Sequence, residues 1–110
     1  MSTIRRSSVT VTLPASHQTE RGSVCGEYLH GHQYTLTAWA ELGMTDWHTV
    51  TGVLSEFRLR HLNDMIPAGA PTVDGLAGYL SERLAMHGID EVQVHESDSG
   101  RAALVKRVPG

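Results

Sequence analysis

The chain has 110 residues, a formal net charge of −3 and a hydrophobic fraction of 40%. This length suits one domain with one modest core, so we interpret residues 1–110 as a single domain. The composition is that of a globular protein and excludes a disordered chain, and without a basic run we expect no nucleic-acid partner. The residues after Arg6 alternate in polarity instead of forming an apolar run, so we expect no export signal and no membrane span.

Cys25 is the only cysteine in the chain. A single cysteine cannot form an internal disulfide, which is compatible with a reducing compartment, and we therefore expect a cytoplasmic protein. Its thiol is either core packing or a reactive group, and a zinc ion or a cation nearby would favour the reactive thiolate.

Two strands are predicted in the first third of the chain. Residues 9–13 alternate between apolar and polar side chains, which predicts a strand that ends at Pro14 and delivers His17 into a loop over residues 18–26. Residues 30–40 alternate in the same way and predict a second strand. We expect the two strands to pair in antiparallel orientation.

Two helices should follow. Apolar residues recur at helical spacing between Asp46 and Arg60, although Gly52 weakens this first helix. Residues 67–71 are rich in proline and glycine and predict a break. The second helix should begin after Thr72, in the position of an N-cap, and end at Gly88.

The last quarter of the chain predicts a hairpin. Residues 91–96 and 102–108 read as the third and fourth strands, with the turn at residues 97–100. The resulting order predicts an α+β domain in which two helices cover one face of a four-stranded antiparallel sheet. Because so short a chain leaves sheet edges and one sheet face uncovered, we predict a homo-oligomer.

Three histidines suggest a metal site. His30 and His32 are two residues apart on the predicted second strand and should project from the same face. With His17 they provide three neutral nitrogen ligands, a set that holds catalytic zinc and leaves a fourth position open, whereas structural zinc usually takes four protein ligands. The alternative is that the His-x-His pair is ordinary polar surface.

Five short segments resemble one enzyme family along almost the whole chain. The segments are residues 15–17, Cys25 with residues 29–34, residues 62–64, residues 71–74 and residues 94–97. In this order they resemble the 6-pyruvoyl-tetrahydropterin synthase and QueD (6-carboxy-tetrahydropterin synthase) family. The resemblance implies the tunnelling fold (T-fold), whose subunits join by sheet edges into rings, commonly trimers stacked as hexamers, with active sites at subunit interfaces.

The resemblance also implies roles for particular residues. Zinc would be held by His17, His30 and His32, and would act as a Lewis acid on substrate oxygens. Cys25 would be the acid/base or nucleophilic cysteine, and Glu96 would hold the pterin ring through charge-assisted hydrogen bonds. Thr72 would be a pocket residue, with a helix cap as its alternative role.

Some positions depart from the family pattern. Family members typically carry an Asp-His dyad before Leu-Asn, and this chain has Arg58 and Leu59 there. His61 is either a displaced general base or a surface histidine. Glu27 is either a solvated loop residue or a base like that of a related aldolase subgroup, which cleaves the dihydroneopterin side chain.

The sequence thus predicts a zinc-dependent lyase that breaks a carbon–oxygen or carbon–carbon bond. Its first candidate substrate is 7,8-dihydroneopterin triphosphate or a similar dihydropterin. One alternative is a diverged family member recruited as a lyase, isomerase or cyclase on a non-pterin substrate in a specialised pathway. Another is a zinc-bound, catalytically silent subunit kept for assembly or ligand binding.

Overall fold

A computed structural model describes residues 2–17, 30–41, 43, 45–66 and 72–108. Four strands of this part form one antiparallel sheet in the order β1-β2-β3-β4. The elements in chain order are β1 (Arg6–His17), β2 (His30–Glu41), α1 (Trp47–Ser55), α2 (Leu62–Met65), α3 (Val73–Leu84), a 3-10 turn (Ala85–His87), β3 (Glu91–Glu96) and β4 (Arg101–Lys106). The predicted α+β class and four-stranded antiparallel sheet are confirmed, and the single turn of α2 is an addition.

The core lies between one face of the sheet and the helices. Alternate strand residues are buried on that face: Leu13, Ala15, Tyr34, Leu36, Ala38, Ala40, Val92 and Val94. The helices cover them with buried residues that include Val50 and Leu54 from α1 and Leu76 and Leu80 from α3. The opposite face is polar where β1 meets β2, with threonine hydroxyls paired across the strands at 3.1 and 3.2 Å.

The prediction that the first strand ends at Pro14 is wrong. Strand β1 continues through Pro14 to His17, pairing with β2 along its whole length. Proline lacks a backbone N–H, but β1 is an edge strand and the Pro14 carbonyl points away from β2, where it accepts a hydrogen bond from Leu59 N at 2.7 Å. A proline whose nitrogen faces outward costs the sheet no hydrogen bond.

Both predicted helices are present, with different bounds for the first. Helix α1 begins after Asp46, whose side chain accepts hydrogen bonds from the N–H groups of His48 and Thr49, and it ends at Ser55 instead of near Arg60. Helix α3 begins after Thr72 as predicted, and the 3-10 turn that follows it ends at Gly88, which has a φ of 82°. No described helix has the length and apolar character needed to cross a membrane.

The β3–β4 hairpin agrees with its prediction to within two residues. β3 spans Glu91–Glu96, and β4 spans Arg101–Lys106 instead of residues 102–108. The turn between them occupies residues 97–100 and closes at Gly100, whose φ of 75° favours glycine. The hairpin brings the end of β3 beside the start of β2.

Candidate metal and substrate site

Three polar side chains from three neighbouring strands converge at one end of the sheet. His17, His32 and Glu96 each offer a ligand atom, and these atoms lie within 4.8 Å of one another. His17 and Glu96 are completely buried, and the His32 side chain is largely buried. We call these three residues the His-His-Glu cluster.

The strand register explains why these residues meet. Ala15 pairs with His32, and Tyr34 pairs with both Leu13 on β1 and Glu96 on β3. Residues directly opposite on antiparallel strands share a face, so His17, His32 and Glu96 extend the core face beyond its last apolar residues. The cluster is therefore the polar end of the hydrophobic core.

Hydrogen bonds hold the cluster from several sides. His32 Nδ1 lies 2.6 Å from Asp98 Oδ2 and 3.7 Å from Glu96 Oε1. The Ser99 hydroxyl donates a hydrogen bond to Glu96 Oε1 at 2.6 Å. The Tyr34 hydroxyl lies 3.5 Å from His17 Nδ1. These contacts restrict the rotation of all three cluster side chains.

The donor set of the cluster fits a divalent transition metal. Two imidazole nitrogens and one carboxylate oxygen are ligands that zinc accepts, and three protein ligands are typical of a catalytic site with an open position. The backbone of His30 pairs with that of His17 in the β1–β2 register. Its side chain lies outside the described residues.

A cavity of about 580 Å³ opens beside the cluster. Its lining includes Ser16, His32, Leu59 and Asp98. This volume is within the range of small-molecule sites, which extends from about 300 to 1,000 Å³. Since His32 belongs to both the cluster and the cavity lining, a bound molecule would lie next to the cluster.

Of the predicted catalytic residues, only His61 lies within the described part of the chain. Cys25 and Glu27 lie outside the described residues. His61 Nδ1 lies 3.2 Å from Ser16 Oγ, and the two residues form a parallel bridge. Because Ser16 and His17 are adjacent on a strand, this bond holds His61 on the face opposite His17.

Thr72 acts as a helix cap in this structure. Its hydroxyl accepts a hydrogen bond from Gly75 N at 3.3 Å at the start of α3. This is the alternative that the sequence left open beside a pocket role.

The positions of the missing Asp-His dyad are occupied differently. Arg58 donates a hydrogen bond to the Thr12 carbonyl at 3.4 Å. Leu59 has a φ of 57°, which is uncommon for a residue other than glycine, and the residue is 78% exposed and lines the cavity. An apolar side chain thus stands where the family resemblance calls for a base.

Sequence reasoning missed Asp98, Ser99 and the phenol of Tyr34 as parts of the site. Asp98 and Ser99 belong to a segment rich in turn-forming residues, which is sufficient to explain both of them locally. Their position directly after Glu96 could have identified them as site residues, because a hairpin turn stays close to the last residue of the strand that precedes it.

The fold and the cluster together define an α+β protein of the tunnelling fold with a buried His-His-Glu group at the end of its sheet. Among solved structures, the chain is similar to 6-pyruvoyl tetrahydropterin synthase from Caenorhabditis elegans, with 17% identity and a TM-score of 0.76 over 96% of this chain and 97% of that chain. It is also similar to the Plasmodium falciparum 6-pyruvoyl tetrahydropterin synthase, with 15% identity and a TM-score of 0.59 over 94% of this chain and 99% of that chain. No protein-family model and no curated protein matches the chain significantly. The chain therefore has the fold of the 6-pyruvoyl tetrahydropterin synthases.

Proposed function

We propose that the protein is a zinc-dependent lyase acting on a dihydropterin, with 7,8-dihydroneopterin triphosphate as the first substrate to test. The observation that carries this proposal is the buried His-His-Glu cluster beside a cavity of about 580 Å³. Support comes from the fold, which is shared with proteins named as 6-pyruvoyl tetrahydropterin synthases.

Zinc would be held by His17 and His32, with His30 proposed as the third ligand. The pairing of His17 with His30 in the β1–β2 register supports this set. When bound, zinc supplies Lewis-acid polarisation of substrate oxygens. His17 beside Tyr34, and His32 beside Asp98, contribute imidazoles whose orientation is constrained before any metal arrives.

Glu96 has two roles that its position supports. Its carboxylate is fully buried and accepts a hydrogen bond from Ser99, so it can accept charge-assisted hydrogen bonds from the ring N–H and amino group of a pterin. Its distance to both histidines also suits a carboxylate ligand to the metal. We propose the pterin contact as its role in turnover.

Proton transfer is assigned to the segment before β2. We propose that the Cys25 thiol exchanges a proton at substrate carbon, and that Glu27 removes a hydroxyl proton if the reaction is a retro-aldol cleavage. Two further predicted site residues are His61 and Thr72. His61 is hydrogen-bonded to Ser16, and Thr72 lies at the start of α3. Arg58 and Leu59 in place of the dyad favour a variant reaction, so a recruited enzyme acting on a non-pterin substrate is the second candidate.

Zinc content tests the metal site. The wild-type protein should hold one zinc per subunit, and His17→Ala and His32→Ala should weaken zinc binding at least tenfold because each removes a ligand. The matched control is His48→Ala, since His48 is an exposed histidine at the start of α1 and is not a member of the cluster. Elemental analysis after dialysis gives the stoichiometry, and full zinc content in both cluster variants would place the metal elsewhere.

Substrate binding and turnover test the reaction class. With zinc bound, Cys25→Ala should abolish proton exchange into the dihydropterin and keep its affinity, because a thiol that moves only protons adds little to ground-state binding. Glu96→Gln should weaken dihydropterin binding at least tenfold, since hydrogen bonds to a charged group contribute about 1.5–3 kcal/mol each.

Calorimetry and mass spectrometry of the products separate the candidates. Binding without turnover in the wild-type protein would indicate a silent binding subunit. A zinc-loaded protein that neither binds nor converts any dihydropterin would contradict the pterin assignment and favour the recruited enzyme.

A further inference from the structure

The β3–β4 turn places a carboxylate against one imidazole of the cluster. Asp98, the second residue of the turn, puts Oδ2 at 2.6 Å from His32 Nδ1. The His32 side chain is only 10% exposed, whereas that of Asp98 is 55% exposed. The contact thus joins a surface carboxylate to a largely buried ring.

The chemistry of this contact selects one tautomer of His32. An ionised carboxylate only accepts hydrogen bonds, so Nδ1 must carry the proton and donate it to Asp98. The lone pair of the neutral ring then belongs to Nε2, which is the nitrogen left to meet a cation. Metal-binding histidines commonly donate their other N–H to a carboxylate, which orients the ring and makes it a better ligand.

Two aromatic rings of the core face pack beside the His32 ring. The His17 ring packs edge-on against it, with centroids 4.8 Å apart and planes at 87°. The Tyr34 ring is also nearly perpendicular, with centroids 5.9 Å apart. Asp98 Oδ2 is the nearer of two carboxylate oxygens on the Nδ1 side of the ring, at 2.6 Å against 3.7 Å for Glu96 Oε1.

The same turn also holds a second member of the cluster. Ser99 donates its hydroxyl to Glu96 Oε1 at 2.6 Å, and Arg101 N donates to Ser99 Oγ at 3.3 Å. Two consecutive turn residues therefore contact two of the three cluster side chains.

We propose that Asp98 is a positioning residue of the metal site, which sets the tautomer and orientation of His32 so that Nε2 binds the cation. This inference rests on the metal site of the proposed function. It adds a residue outside the ligand set, and it assigns the β3–β4 turn a role in assembling the site.

Zinc affinity and the His32 tautomer test the proposal together. The zinc dissociation constants of the wild type, Asp98→Ala and Asp98→Glu are measured by competition with a chromophoric chelator. The matched control is Asp64→Asn, because Asp64 is an exposed carboxylate on α2. We expect Asp98→Ala to weaken zinc binding about 10- to 100-fold, Asp98→Glu to recover part of the loss, and Asp64→Asn to match the wild type.

The tautomer is read without metal, from nitrogen-15 chemical shifts of histidine-labelled apoprotein. His32 should carry its proton on Nδ1 in the wild type, and this preference should weaken in Asp98→Ala. Wild-type zinc affinity in Asp98→Ala, or reduced affinity with an unchanged His32 tautomer, would overturn the positioning role and leave the metal site standing. A wild-type protein that binds no zinc would overturn both the metal site and this inference.

Discussion

At the scale of single residues, an ion pair ties the start of β1 to the chain just before β3. Arg6 donates hydrogen bonds to both carboxylate oxygens of Asp90, one of them at 3.1 Å, and lies 3.8 Å from Glu91. The hydrogen bond from Arg6 is the main cause that holds the pKa of Asp90 below its ordinary value. The pair spans β2, which lies between these two segments in the sheet.

This ion pair should make stability depend on pH. Because folding lowers the pKa of Asp90, the stabilisation is present above the unfolded value of about 4 and is lost as the pH falls through the lower folded value. We expect Asp90→Asn to lower the free energy of unfolding by at most about 1 kcal/mol at pH 7, since both partners are partly exposed. This difference from the wild type should shrink below pH 4. Urea unfolding of wild type and variant at pH 7 and pH 3 measures this. Glu82→Gln, at an exposed position on α3, is the control. A stability loss in Asp90→Asn that does not depend on pH would contradict the prediction.

At the scale of elements, each of the two longer helices begins with a side-chain cap. Asp46 accepts hydrogen bonds from two N–H groups at the start of α1, and Thr72 accepts one at the start of α3. The first N–H groups of a helix have no partner within the helix, so these oxygens determine where the helices begin. The cap on α3 also stabilises the element that covers β3 and β4.

Thr72 allows its cap role to be separated from its predicted pocket role. Thr72→Ala should lower the free energy of unfolding by about 1 kcal/mol. Thr72→Ser should lower it by much less, because a serine hydroxyl also caps a helix. Urea denaturation measures the loss. If dihydropterin affinity is unchanged in both variants, Thr72 is a cap alone. Unchanged stability in Thr72→Ala would contradict the cap.

At the scale of the whole molecule, the two edges of the sheet differ. Part of the outer edge of β1 is covered, because Leu59 N donates to the Pro14 carbonyl and Ser16 N donates to the Arg60 carbonyl. The outer edge of β4 has no strand beside it within the described part of the chain. Exposed strand edges favour pairing with another chain.

We therefore expect a homo-oligomer, a trimer or hexamer, that joins through the β4 edge. Arg107 N donates a hydrogen bond to the Asp90 carbonyl, so the Arg107 N–H points toward β3. Because N–H groups alternate in direction along a strand, the N–H of Leu104, which pairs with Gln93, points away from β3. Leu104→Pro removes that outward donor and should give a smaller species with the fold retained. Leu104→Thr keeps the N–H and is the control. Sedimentation velocity reports the size, and a wild-type monomer at micromolar concentration would contradict the ring.

The sequence by itself determined the features that depend on local pattern. Alternation predicted β2 and β3, helical spacing and a cap predicted α3, and the His-x-His spacing identified His32 as a candidate ligand. These features are readable because each depends on residues within a few positions of one another. The family resemblance added Glu96, while Cys25, Glu27 and the side chain of His30 remain predictions.

Only the tertiary structure decided how distant segments meet. β1 runs past Pro14 because the strand lies at an edge and residues 59–61 bond to its outer side, which no local pattern reveals. His17, His32 and Glu96 form a cluster because two antiparallel registers align three strand ends, and Asp98 reaches His32 across 66 positions of sequence. Such contacts depend on sheet register, which is set by the burial of whole strand faces and not by the residues that come into contact.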